Sequence, residues 1–291
     1  MIVHLIDGTY ELFRHFFGAR RGNKGADVPY AAVLGVLGTV MQMIEGGAEH
    51  IGVATDHVIE SFRNDLWSGY KTGEGIEYAL WSQFHPLEDA LRAMGVTVWP
   101  MIEVEADDAL ACAAAIAADD ARVQKVCIWT PDKDLSQCVI GDRVVQVDRK
   151  SGFIRNADAV QAKFGVPPAS IPDYLALVGD AADGFPGVPG FGARSAARLL
   201  MRYGHIADVP APDTITGPEK TLAVRLHEHM DMATLFLELA TLRTDLPVFD
   251  DVDDLRWRGP SPDFGAFMQA HAGDRGTVFA QRAAAPRIRG R

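Results

Sequence analysis

The 291-residue chain holds only three cysteines, and Cys112, Cys127 and Cys138 form no CxxC pair. An odd count among apolar neighbours excludes a disulfide framework and fits reduced thiols in a cytoplasmic protein. Positive charge is also scarce, with 28 Lys and Arg against 39 Asp and Glu, a net charge of −11. That balance excludes a general nucleic-acid coat, which depends on cations displacing counterions from phosphate. It leaves room for a locally basic groove, and a metal-loaded acidic site would cancel part of the formal charge. No apolar run approaches bilayer length, and "MIVHLIDGTY" has no basic leader before Asp7, so neither a membrane span nor a signal peptide is expected. Long low-complexity tracts are missing too, and 48% hydrophobic residues suit a folded chain with disorder only at its ends.

What is present alternates between strand and helix. "IVHLID" reads as a buried strand ending at Asp7, and a helix follows from Tyr30 to about Ile44 behind Pro29. "HIGVATD" is a second strand ending at Asp56, and a helix around Phe84 to Met94 precedes the strand "VTVWP". An alanine-rich helix opens at "VEADD", and the strand "KVCIWT" runs into "PDKD". The alternation predicts an α/β fold with a mostly parallel sheet flanked by helices. Beyond about Phe164 the pattern turns helical: Ser170 is placed as an N-cap, and a Gly/Pro turn separates two helices between 170 and 204. Residues 217–242 are again read as helical, "DLPVFDDVDDLRW" as surface, and "RAAAPRIRGR" as a frayed basic tail.

The acids recur at one edge of this scheme. Asp7, Asp56 and the Asp132/Asp134 pair each close a predicted strand, and Glu105, Asp107 and Asp108 open a helix after another, the edge where open α/β sheets bind ligands. Single acids at such places are usually surface caps, but successive strand ends have no such reason to carry them. Two carboxylates about 5 Å apart repel by about 3 kcal/mol at an effective dielectric of about 20, so a gathering of them calls for cations. No histidine or cysteine set has zinc-like spacing, and all-oxygen ligands favour Mg²⁺ or Mn²⁺. Glu105 and Asp108 share a helix face, while Asp107 is left for a second ion or a bound water.

These segments, in this order, resemble the bacterial 5′ nuclease family: flap endonucleases and 5′→3′ exonucleases, including the N-terminal domain of bacterial DNA polymerase I. The resemblance runs through "LIDGTY", "VATD", "FRNDLWSGYK", "EVEADDALA", "TPDKDLSQ" and "VGDAADGFPGVPGFGARSAARLL", from Met1 to about Gly204. It implies a PIN-like α/β catalytic domain over 1–163 and a helical subdomain over 164–291 with a helix-hairpin-helix-type element. Asp56, Glu105, Asp107 and Asp108, with Asp7 nearby, would surround one metal, and Asp132, Asp134, Asp180 and Asp183 the other. Such a pair of ions suits phosphodiester hydrolysis on branched or nicked DNA with a free 5′ end, in replication and repair. The usual "SDNIPG" is "ADGFPG" here, with Ala182 and Gly184 in place of serine and asparagine, and Pro131 replaces a glycine.

The resemblance also implies DNA contacts. Gly187, Gly190 and Gly192, with Arg194 and Ser195, sit where the hairpin grips duplex DNA and holds K⁺. Lys71 matches a lysine near the scissile phosphate, with Arg63 and Tyr70 in the same segment, although the arginine common three residues on is Glu74 here. Arg14, Arg20, Arg21 and Lys24 are read as phosphate contacts in a loop after the Asp7 strand. Between Arg63 and Arg92 the three basic residues Arg63, Lys71 and Arg92 face Asp65, Glu74, Glu77, Glu88 and Asp89, so the basic arch over a single strand is depleted. Tyr70, Tyr78 and Trp81 offer rings for stacking or for packing, with packing the favoured reading. The expected protein is a stand-alone monomeric 5′ nuclease. A PIN-like ribonuclease and a non-catalytic DNA-junction binder are the competing readings.

Overall fold

A computed structural model describes residues 1–22, 25 and 27–285. Lys24 and the basic end from residue 286 lie outside the described residues. Along the chain come β1 (Ile2–Asp7), α1 (Gly8–Gly22), α2 (Ala31–Glu45), β2 (His50–Asp56), α3 (Phe62–Leu66), α4 (Tyr78–Trp81) and α5 (Phe84–Ala93). Next are β3 (Thr97–Met101), α6 (Ala106–Asp119), β4 (Lys125–Trp129), β5 (Val144–Val147), β6 (Ile154–Arg155) and α7 (Ala157–Phe164). The chain ends with α8 (Ile171–Val178), α9 (Ala193–Tyr203), α10 (Glu219–Glu228), α11 (Met230–Ala240) and α12 (Phe264–Ala284). It divides into two compact units, one built from Met1–Ile59, Gly73–Thr130 and Thr244–Arg291, the other from Glu60–Thr72 and Pro131–Arg243.

In the first unit four strands run in the order β3-β2-β1-β4, and all three pairings are parallel. Strands buried on both faces read as continuous apolar runs, and Val3, Leu5, Val53 and Val126 are fully buried. Asp7 pairs in register with Ala54, and Asp56 with Met101, so the acids of β1 and β2 emerge at the carboxyl edge, as the strand reading expects. Helices α2, α5 and α12 supply much of the core, through Val36, Leu37, Leu87, Leu91 and Met268. Gly273, with φ 57° and ψ −138°, breaks α12 in the middle.

Three expectations need correction here. The stretch carrying Arg14, Arg20 and Arg21 is helix α1 and not a loop, because Leu12 and Phe16 turn one helical face into the core. The segment "DLPVFDDVDDLRW" is not simply surface: its acids are mostly exposed, but Phe249, Val252 and Leu255 are buried. Ser170 does stand at the N-cap of α8, yet its side chain makes no capping bond.

The second unit holds the antiparallel pair β5–β6 and helices α3 and α7 to α11. Its core is formed by Leu175, Leu177, Phe185, Leu199, Leu226 and Phe236, among others. Among the described residues no helix is long and apolar enough to cross a membrane.

Candidate metal centre and nucleic-acid interface

In the first unit the acids are fixed by backbone donors. Asp7, 7% exposed, accepts from the Tyr10 amide at 2.8 Å and the Thr130 hydroxyl at 3.1 Å. Asp56 accepts from the Ala106 amide at 2.8 Å, at the start of α6. Glu105 is the N-cap of that helix, and its amide donates to Asp108 Oδ2 at 3.0 Å. Asp108 is therefore fully buried as part of a cap, while Asp107 is half-buried. Anions at this helix end are favoured by the unpaired N–H groups and the dipole.

The second unit brings acids closer. Asp134 enters after β4 on a short 3₁₀ turn (Asp134–Cys138), and Asp180 and Asp183 follow α8. One carboxylate oxygen from each of Asp134, Asp180 and Asp183 lies within 4.8 Å of the other two, and all three residues are buried. Among the described residues this is the one such group of Asp, Glu, His or Cys. Asp132 is exposed beside it and accepts from the Asp134 amide at 3.2 Å. The structure thus gathers three of the expected ligands tightly, and it does not gather Asp7, Asp56, Glu105, Asp107 and Asp108 to the same degree.

The electrostatics of the triad fit a cation. Asp134 Oδ1 is buried with no hydrogen-bond partner. Burial first, and then the charges of Asp132, Asp183 and Asp180, push the Asp134 carboxyl well above the usual carboxylate range. A hard divalent ion, which prefers oxygen ligands, would reverse both effects. Two lysines lie against the group: Lys71 Nζ is 3.0 Å from Asp183 Oδ1, and Lys133 Nζ is 2.8 Å from Asp180 Oδ2. Burial works to lower the Lys133 ammonium, but the Asp180 hydrogen bond and the charges of Asp180, Asp134 and Asp132 outweigh it and raise it. Lys133 was not among the expected site residues, although its place inside "DKD" was a legible signal.

The Lys71 segment is locked onto the Asp183 turn by backbone. The Lys71 amide donates to Asp183 O at 3.0 Å, and Trp67 Nε1 donates to Gly184 O at 3.1 Å. Gly184 has φ 84°, and a Cβ there would lie 2.0 Å from Gly69 O, which explains glycine in place of the family asparagine.

Several residues expected to contact DNA are buried or engaged by other groups of the protein. Arg63 is 1% exposed and donates to Leu239 O at 2.9 Å and Thr241 O at 3.1 Å, satisfying the end of α11. Tyr70 is 4% exposed and belongs to the core. Gly187 does make a close approach, but to its own chain: a Cβ would meet Gly179 N at 2.3 Å. The Arg14 guanidinium neutralises the fully buried Glu11, with Nη2 2.5 Å from Oε2, and Arg20 is held by Glu77 at 2.6 Å and 2.8 Å. Arg21, Gly190, Gly192 and Arg194 remain exposed. The Ser195 hydroxyl accepts from the Gly192 amide at 2.9 Å and so caps α9.

The comparisons with known proteins agree with this arrangement. Residues 2–165 match the family described as 5'-3' exonuclease, N-terminal resolvase-like domain, and residues 166–263 match 5'-3' exonuclease, C-terminal SAM fold. DNA polymerase I of Pseudomonas aeruginosa is 33% identical over 86% of this chain, which spans 28% of that protein's length. A 5'-3' exonuclease of Buchnera aphidicola subsp. Schizaphis graminum is 27% identical over 84% of this chain and 87% of its own. Among solved structures, the bacteriophage T5 flap endonuclease in a pseudo-enzyme-product complex with DNA and metal ions has a TM-score of 0.63 and 19% identity, covering 97% of this chain and 98% of that one. That likeness establishes the fold, and the two family matches run almost end to end: the chain belongs to the 5'-3' exonuclease family.

Proposed function

We propose that this chain is a divalent-metal-dependent 5′ nuclease that hydrolyses DNA phosphodiester bonds, as a 5′→3′ exonuclease and flap endonuclease in replication and repair. The observation that carries it is the buried Asp134–Asp180–Asp183 group with the unpartnered Asp134 Oδ1. With Asp132 these residues would hold one Mg²⁺ or Mn²⁺, and Asp56, Glu105, Asp107 and Asp108, with Asp7, a second. Ions so held would lower the pKa of an attacking water and stabilise the leaving 3′ oxygen. The protein's own part is electrostatic and positional. Lys71, whose backbone amide donates a hydrogen bond to Asp183 O, presents an ammonium to the scissile phosphate and offsets charge that builds in the transition state.

The helical part, over 164–291, is proposed to hold duplex DNA at the turn before α9, through Gly190, Gly192, Arg194 and Ser195, with Arg21 as a further contact. The resemblance implies K⁺ at the same turn. Gly190 O already accepts from Arg225, so a K⁺ ion would have to draw on other carbonyls. The proposed substrates are 5′ flaps and nicked or branched duplexes, processed by a monomer in the cytoplasm. A cleavage assay on a 5′-labelled flap, a nicked duplex and single-stranded RNA, with Mg²⁺, Mn²⁺ or EDTA, tests the reading. Metal-dependent cutting of the DNA substrates near the junction is expected. Cutting of RNA alone would make the chain a PIN-like ribonuclease, and binding without cutting would make it a junction binder.

A further inference from the structure

A lysine sits inside the acidic group of the second unit, between Asp132 and Asp134 in sequence. Lys133 Nζ lies 2.8 Å from Asp180 Oδ2, and the Asp180 side chain is 2% exposed. Both partners are set by their backbone. The Lys133 carbonyl accepts from the Ser136 amide at 3.0 Å, in the turn that carries Asp134. Asp180 exchanges backbone hydrogen bonds with Phe185, at 2.8 Å and 3.0 Å, and its Oδ1 accepts from the Ala182 amide at 2.9 Å. An exposed ion pair gains little, because water and salt screen it and two long side chains must be ordered. Here the carboxylate is buried and already oriented, so only the lysine stem, 34% exposed, is left to order.

The charges of the group give this lysine a role. Asp132, Asp134, Asp180 and Asp183 bring four negative charges, and Lys133 and Lys71, at 2.8 Å and 3.0 Å from their partners, bring two positive ones. The two left over are the charge of one divalent ion. An ion held by these acids shares Asp180 with the Lys133 ammonium, and two cations on one buried carboxylate repel through a medium that screens poorly. We propose that Lys133 is a built-in counter-cation that weakens divalent-ion binding by the Asp134–Asp180–Asp183 group and so sets the ion concentration at which the group fills. Without the lysine, one more negative charge would face the ion, and the ion would bind more tightly. A lysine that did no more than aim Asp180 would act with the opposite sign, since its removal would loosen the ligand and weaken binding.

This role rests on the metal-dependent reading above, and it is tested by ion binding without DNA or cleavage. Mn²⁺ is titrated into the protein and the free ion is followed by electron paramagnetic resonance. Parent, Lys133→Met, Lys133→Gln, Lys133→Arg and Lys220→Met are compared, the last removing an exposed charge at the start of α10. Lys133→Met and Lys133→Gln should bind Mn²⁺ about tenfold more tightly or better, within the range of about 5–150-fold usual for coupled sites. Lys133→Arg, which keeps the charge, and Lys220→Met should bind as the parent does. Thermal unfolding gives a second readout: in EDTA Lys133→Met should melt below the parent, because the acids lose a counter-charge, and the gap should close as Mn²⁺ is added. Lys133→Gln keeps a hydrogen-bond donor for Asp180 and carries the test alone if the methionine variant does not fold. Mn²⁺ binding that is unchanged or weaker without the Lys133 charge overturns this role and leaves the metal-dependent reading standing. A parent that binds no Mn²⁺ overturns both.

Discussion

Replacing Asp134 by asparagine should stabilise the chelated protein and destroy its activity together. Asp180 and Asp183 place carboxylate oxygens within 4.8 Å of Asp134, where each like-charge pair costs about 3 kcal/mol at an effective dielectric of about 20. Lys133 on Asp180, at 2.8 Å, and Lys71 on Asp183, at 3.0 Å, cancel much of that repulsion. The buried Oδ1 with no partner adds an unmet desolvation cost of about 1–3 kcal/mol. Asparagine keeps the volume, removes the charge and supplies an amide donor for a neighbouring carboxylate. The expected gain in EDTA is therefore about 1–3 kcal/mol, a rise in Tm of several degrees at about 2–4 °C per kcal/mol. In Mn²⁺ the order should narrow or reverse, since the parent gains stability from the bound ion by mass action and the variant gains less. Thermal unfolding followed by circular dichroism, with EDTA and with Mn²⁺, reads both effects, and a flap-cleavage assay reads the loss of activity. An Asp134→Asn protein that melts below the parent in EDTA, or cuts a flap at the parent rate, refutes the reasoning.

Lys71→Ala should lower single-turnover cleavage by about 10²-fold or more, the scale of a removed electrostatic donor, while flap affinity changes little; an unchanged rate returns Lys71 to a structural role on Asp183. Gly184→Asn, which restores the commoner family residue, should cost about 1–3 kcal/mol in urea unfolding and slow cleavage, because its Cβ would fall 2.0 Å from Gly69 O at φ 84°; full stability in this variant would show that the turn at Gly69 yields freely. His205 donates from Nδ1 to Asp173 at 2.8 Å, and that hydrogen bond raises its pKa above the ordinary 6.5. The contribution is complete below the unfolded value and lost as pH rises through the raised one, so His205→Gln should destabilise by less than about 1 kcal/mol at mildly acidic pH, given its 48% exposed side chain, and by almost nothing at alkaline pH. A urea-unfolding difference that grows with pH would contradict the sign.

The parts of the fold legible in the sequence are those governed by local pattern. "IVHLID" and "HIGVATD" coincide with β1 and β2 because strands of a covered parallel sheet must be apolar without interruption. Helix α1 escaped because it opens at Gly8 and carries Gly18 and Gly22 toward its end, residues that weaken any helical reading. Helix α12 escaped for a related reason, its three internal glycines and the break at Gly273. The acids were legible as a set: one carboxylate at a strand end is usually a surface cap, but carboxylates recurring at successive strand ends repel one another and call for cations. The role of each basic side chain was not legible, since it depends on partners contributed from far along the chain.

Arginine gives the sharpest case, because the same side chain meets opposite fates here. Arg63 was read as a DNA contact from its sequence neighbours, yet Leu239 O and Thr241 O, at the end of α11, draw it into the interior. A buried guanidinium must be hydrogen-bonded, and a helix C-terminus with unpaired carbonyls supplies that need. Arg225 drew no attention in the sequence, yet a single neutral carbonyl, Gly190 O, holds it at the surface. The difference is how many acceptors the fold supplies. Two carbonyls at a helix end satisfy Arg63 within the protein, and one at an exposed turn orients Arg225 while leaving most of its donors to solvent. In a chain of net charge −11, the count of cations therefore says less about DNA binding than the count of protein acceptors each cation meets.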